Sequence, residues 1–139
     1  MRISFYYEDV AALRLDKRRL RNWIRSAIRE EGKKTGELNL IFCSDRALLK
    51  INQEFLKHDD YTDVITFDNV EGDMISGEVF ISVERVRENA GLYEVSFQDE
   101  LDRIMIHGVL HLLGYQDKSI EHKVVMTERE EYYLGKRQG

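Results

Sequence analysis

Residues 101–117 read LDRIMIHGVLHLLGYQD, and their spacing decides how the rest of the chain is arranged. Ser96, with Asp99 three residues on, makes a capping-box-like helix start just upstream, and Gly114 makes a stop. Between them Leu101, Ile104, Met105, Ile106, Val109, Leu110, Leu112 and Leu113 make the helix apolar nearly all round. A helix of that kind belongs in the centre of a domain, not on its surface. His107 and His111 interrupt it at i, i+4, so both imidazoles leave the same face one turn apart.

Burying two polar rings in so apolar a helix costs several kcal/mol unless both find partners, and one metal ion satisfies both at once. Gly108 is expected to leave room beside the pair. Gly114 permits a left-handed exit that turns the chain back and brings Asp117 to the same point. His107, His111 and Asp117 are therefore the candidate ligand set. His122 is the alternative third ligand, and Asp117 has a competing use as the cap of the next helix. Three protein ligands leave coordination positions open, the arrangement of a catalytic site. Zinc would acidify a water there toward neutrality, which points to a hydrolase. Two histidines and a carboxylate also suit non-haem iron(II), so ligand type alone leaves the ion open. Position 108 is glycine where a zincin carries its glutamate base, which disfavours ordinary peptide hydrolysis.

Working outward, Ile3, Phe5 and Tyr7 alternate as a first strand. A helix capped by Asp16 follows, with Leu20, Trp23, Ile24, Ala27 and Ile28 on its apolar face and Gly32 as its stop. A second strand is expected over residues 37–43. Ser44 then caps a helix carrying Ala47, Leu48, Ile51 and Phe55, ended by a polar loop at 57–61. Third and fourth strands are placed at 64–67 and 79–81 around a turn at 69–73. Ser82 caps a short helix to Leu92, and a last amphipathic helix spans about 119–134. The pattern lacks the strict β-α-β alternation of a parallel sheet, so the expected class is α+β, a mixed sheet of about four strands packed with a central buried metal-binding helix.

The chain has 139 residues, which suits one domain over 1–139 with a single well-buried core. No apolar stretch approaches the roughly 18 residues that cross a bilayer, so no membrane partner is expected. The lone Cys43, flanked by apolar residues, reads as packing, and the expected compartment is cytoplasmic. The net charge of −5 hides an asymmetry: residues 1–34 hold ten Lys+Arg and five Asp+Glu, while the remainder is acidic. Arg18, Arg21 or Asn22, Arg25 and Arg29 fall near one helix face, with Lys17, Arg19, Lys33 and Lys34 adjacent. Such a strip suits a phosphate backbone, and equally a solvated helix face.

The run His107-Gly108-Val109-Leu110-His111-Leu112-Leu113-Gly114-Tyr115-Gln116-Asp117 resembles the signature of the YbeY family of bacterial rRNA maturation endoribonucleases, which usually reads H-G-x-L-H-L-x-G-Y-D-H. Thr62-Asp63-Val64-Ile65-Thr66-Phe67 is similar to the family's T-D-V-L-S-F, and Gly77-Glu78-Val79-Phe80-Ile81-Ser82 to its G-D-I-x-I-S; the likeness spans about residues 45–117. The resemblance implies a zincin-like fold and a cytoplasmic, zinc-dependent, single-strand-specific endoribonuclease with one Zn2+ per chain. Its expected setting is 16S rRNA 3′-end maturation and ribosome quality control, with the 16S rRNA precursor and the ribosome as partners. His107 and His111 take the places of the family's first two zinc ligands, and Asp117 that of its third histidine. Leu56 stands where the family has a functional arginine, with Lys57 or His58 as substitutes for the cation, and Tyr61 stands where it has proline. Glu78 and His58 are the candidates for proton transfer. The alternatives are a non-catalytic, metal-stabilised ribosome-assembly factor and a metal-dependent hydrolase of a small-molecule or amide substrate.

Overall fold

Each helix of the computed structural model, which describes residues 1–137, begins at a side chain that accepts a hydrogen bond from the backbone N–H three residues on. The caps are Asp16 for α1 (Lys17–Glu30), Ser44 for α2 (Asp45–Leu56), Ser82 for α3 (Val83–Tyr93), Ser96 for α4 (Phe97–Leu112) and Ser119 for α5 (Ile120–Leu134). Four are the caps the sequence indicates. The fifth, Ser119, shows that Asp117 does not cap α5. Residues 138 and 139, the end of the expected 1–139 domain, lie outside the described residues.

Strands β1 (Arg2–Tyr7), β2 (Lys34–Cys43), β3 (Val64–Asp68) and β4 (Met74–Ser82) form one mixed sheet in the order β1-β2-β4-β3. The α+β class and four strands agree with the sequence reading, but the sheet is more parallel than its pattern suggested. β1 and β2, and β2 and β4, pair parallel, and only β3 runs antiparallel to β4. The parallel pairs arise because α1 is a crossover between β1 and β2, and β4 inserts between β2 and the hairpin partner β3. β4 is also longer than residues 79–81, since Met74 to Gly77 find partners on β2 and β3 that no local pattern announces.

α1 and α4 share one core with the sheet, built on Leu20, Ile24 and Ile28 of α1, Leu38 and Leu40 of β2, Val79 and Ile81 of β4, and Leu101, Met105 and Val109 of α4. α2 covers part of the opposite face, where Leu48 meets Cys43 and Ile65, with Phe67 and Phe80 beside them. From Leu101 to Leu112 every α4 residue is buried except Arg103, His107 and His111, which follow one another at four-residue spacing. The central helix is thus buried on all sides but one line, which holds Arg103 and the two histidines.

Gly108 serves a different purpose from the one its neighbours suggest. A Cβ there would stand 2.6 Å from Val79 Cγ1, so the missing side chain lets α4 lie close on β4 and opens no space beside the histidines. Strand alternation also removes Glu78 from the site. Val79 faces α4, so Glu78 points to the opposite sheet face, where it lines a depression with Tyr6, Asn39, Ile41 and Phe80.

Candidate metal centre

The end of α4 turns the chain back by a hydrogen-bond pattern that needs glycine. Gly114 sits at φ +108°, its N–H donates to the His111 carbonyl at 3.0 Å, and the Tyr115 N–H donates to the Leu110 carbonyl at 3.0 Å. This Schellman turn lays the Tyr115 carbonyl 3.0 Å from His111 Nδ1. It also brings Asp117 Oδ2 to 3.4 Å from both His107 Nε2 and His111 Nε2. On the other side His107 Nδ1 lies 2.5 Å from Glu130 Oε2, on α5.

These contacts fix how the rings face. Each Nδ1 meets an outward acceptor, His107 a carboxylate and His111 a carbonyl, so both Nε2 atoms turn inward, 3.0 Å apart on rings inclined at 83°. Two nitrogen lone pairs and a carboxylate oxygen converging on one point repel one another unless a positive species lies among them. Tetrahedral zinc with bonds of about 2.0–2.1 Å spaces its donors roughly 3.3 Å apart. The three donor separations of 3.0, 3.4 and 3.4 Å fit that spacing, and the donor types suit the ion. Burial pushes the His107 pKa down, but the Glu130 hydrogen bond and the charges of Glu130, Asp117 and Asp63 outweigh it, and the net shift is upward. His111 is held low by burial and by the charge of His107, against the pull of Asp117.

The group opens into a cleft of about 330 Å3 whose walls are Asn52 and Leu56 of α2, Thr62 to Thr66, His107, His111 and Asp117. His107, His111 and Asp117 are therefore together, as the spacing indicates. His122 lies apart, beside Tyr115, Gln116 and Val125. Leu56 does stand at the cleft, whereas neither Lys57 nor His58 is among the lining residues; both fall beyond the end of α2 in the exposed loop. Among the described residues, no Lys or Arg lines the cleft. Of the basic helix, Arg19 is bound to buried Asp102 at 3.0 Å and Arg21 donates to the Ile3 carbonyl at 2.8 Å, while Arg18 and Arg29 are exposed and Arg25 is half-buried. A wider depression of about 610 Å3 between α1 and α5 shows no comparable convergence of donors.

Two acidic residues at the site lie outside the candidate set that the sequence indicates. Asp63, within the Thr62 to Phe67 segment, lines the cleft and is held by the Asn89 amide, 3.3 Å from its Oδ2. Glu130 left a signal, since it falls with Met126 and Tyr133 on the buried stripe of α5, a charge where an apolar residue is the rule.

Comparison with known proteins gives the family. The sequence matches the family described as endoribonuclease YbeY over residues 6–138, well beyond the segment from which the likeness is first read. An endoribonuclease YbeY of Flavobacterium psychrophilum is 50% identical over 132 residues, 95% of this chain and 94% of that protein. One from Parabacteroides distasonis is 44% identical, covering 94% of this chain and 92% of that one. The solution structure of TM1509 from Thermotoga maritima superposes with a TM-score of 0.67 at 28% identity, over 96% of this chain and 87% of that one. By the family model over nearly the whole chain and by relatives of this identity and coverage, the chain belongs to the endoribonuclease YbeY family.

Proposed function

We propose that this protein is a zinc-dependent endoribonuclease that cleaves single-stranded RNA at the cleft, with one Zn2+ held by His107, His111 and Asp117. Its setting on this reading is the cytoplasm, in 16S rRNA 3′-end maturation and ribosome quality control, and its sheet and central histidine helix are arranged in the zincin manner. The observation that carries the reading is the convergence of the His107 Nε2, His111 Nε2 and Asp117 Oδ2 acceptors with both Nδ1 hydrogens directed elsewhere. When bound, the ion supplies Lewis-acid stabilisation of charge on a phosphodiester and acidifies water toward neutral pH.

The chain's own residues supply the remainder. Cleaving a phosphodiester requires a proton to leave the attacking oxygen, and Asp63 is the cleft carboxylate left over once Asp117 is a ligand. Asn89 holds its Oδ2, so Asp63 has its other oxygen to accept that proton. Leu56 gives the cleft an apolar wall in place of a second cation, so charge stabilisation at the phosphate falls to the ion alone.

The test is cleavage of a labelled single-stranded 16S 3′-end precursor by purified zinc-loaded protein. We expect cleavage by the wild type, none after chelation, and none by His111→Ala. Asp63→Asn should keep its zinc and lose roughly 10²–10⁴-fold in rate. The absence of a cleft Lys or Arg favours one other reading, a metal-stabilised assembly factor without catalysis. Folded, zinc-loaded wild type that leaves the RNA intact would establish it.

A further inference from the structure

Holding an ion does not by itself explain the charges buried behind His107. Glu130 is 3% exposed, and its two oxygens do different things: Oε2 lies 2.5 Å from His107 Nδ1, and Oε1 receives Arg103 Nη1 at 3.1 Å. The rest of the guanidinium grips Glu100, itself 1% exposed, with Nε at 3.0 Å and Nη2 at 2.5 Å, while the Tyr93 ring lies under its carbon. A linked series Glu100–Arg103–Glu130–His107 thus joins α4 to α5. Apolar side chains of similar volume would hold two helices together at no greater cost than buried ions, so helix packing alone is a weak reason for such a series.

The effect on His107 supplies a better one. A carboxylate behind the outer nitrogen of a metal-binding histidine fixes its tautomer, sets its ring angle and raises the basicity of the inner nitrogen. His111 has only a carbonyl in that role. Resting on the metal reading above, we infer that Glu130, oriented by Arg103 and Glu100, is a positioning residue that sets the metal affinity of His107 and thereby couples the docking of α5 to the loading of the site. Arg103 occupies the same α4 line as the two histidines, one turn back, so its guanidinium is the group that can aim a carboxylate from α5 at His107 Nδ1.

Zinc affinity measured by competition with a chromophoric chelator, and the visible absorption of the Co2+-loaded protein, test this without reference to catalysis. Glu130→Gln keeps an acceptor but removes the charge, and should weaken zinc roughly 10- to 100-fold and shift the cobalt spectrum. Met126→Leu, on the same buried face of α5, should leave both unchanged. Should Glu130→Gln not fold, Arg103→Lys, which retains a positive charge but loses the fork between Glu100 and Glu130, carries the test with a smaller loss in the same direction. A folded Glu130→Gln with wild-type affinity overturns the inference, as does Arg103→Lys where it stands in, and so does an equal loss in Met126→Leu, which would mark a mere packing effect. Wild type that takes up no zinc removes the metal centre itself, and this inference with it.

Discussion

A single methyl group separates a good α4–β4 contact from a clash, because the 2.6 Å approach to Val79 Cγ1 at position 108 leaves no room for a Cβ. Gly108→Ala should therefore destabilise the protein by about 1–3 kcal/mol, read from the urea midpoint, despite its better helix propensity. Cys43 shows the same dominance of packing over type. Burial, with smaller effects from the charges of Asp9, Glu8 and Asp45, pushes its thiol up to about 12. Native protein should leave an aromatic disulfide reagent unreacted at pH 8, while protein in denaturant consumes one equivalent. The histidine pair titrates in opposite senses about the ordinary value of 6.5. His107, raised, contributes stability that is present below 6.5 and lost as pH climbs through its folded value. His111, lowered, contributes stability that is present above 6.5 and lost as pH falls through its folded value. Around 6.5, between the two, the extra proton of the metal-free site rests mainly on His107, whose Nε2 then carries it toward the point where an ion would be held. Zinc loading near pH 6.5 should then release protons, mainly from His107, seen as a buffer-dependent binding enthalpy; a buffer-independent enthalpy would contradict this assignment.

Among the elements, α1 divides its cations according to their neighbours. Arg19 is tied to Asp102 and Arg21 to β1, while half-buried Arg25 and exposed Arg29 lie away from the cleft lining. If that face guides RNA toward the cleft, Arg25→Glu with Arg29→Glu should weaken RNA binding and flatten its salt dependence by about two phosphate contacts. Unchanged affinity and slope would mark the face as a solvated surface only. Legibility also varied by element. The caps Asp16, Ser44, Ser82 and Ser96 could be read because a cap is a local hydrogen bond between residues three apart. The length of β4 could not, since its first residues pair with β2 segments some forty positions earlier.

For the whole molecule, the proposed function together with the charge makes the ion a condition of RNA binding. The chain carries −5, and the cleft holds Asp63 and Asp117 with no Lys or Arg among the described residues of its walls, so a polyanion meets repulsion there until a cation is present. Chelated protein should bind single-stranded RNA far more weakly than zinc-loaded protein in a filter or anisotropy assay. The ion should also raise thermal stability, by about 4 kcal/mol at a thousandfold excess over its Kd, with a matching fall in Tm on chelation. The sequence alone determined the buried central helix, the His107 and His111 pair on one face, the turn at Gly114 and Asp117 as their companion, because each follows from helix periodicity or a turn of a few residues. Only the tertiary structure decided that Glu130 backs His107, that Asp63 enters the cleft, that Glu78 leaves it and that Gly108 serves β4. Those four depend on which strand and which helix lie against α4, a matter of packing between residues far apart in the chain, and no local spacing encodes it.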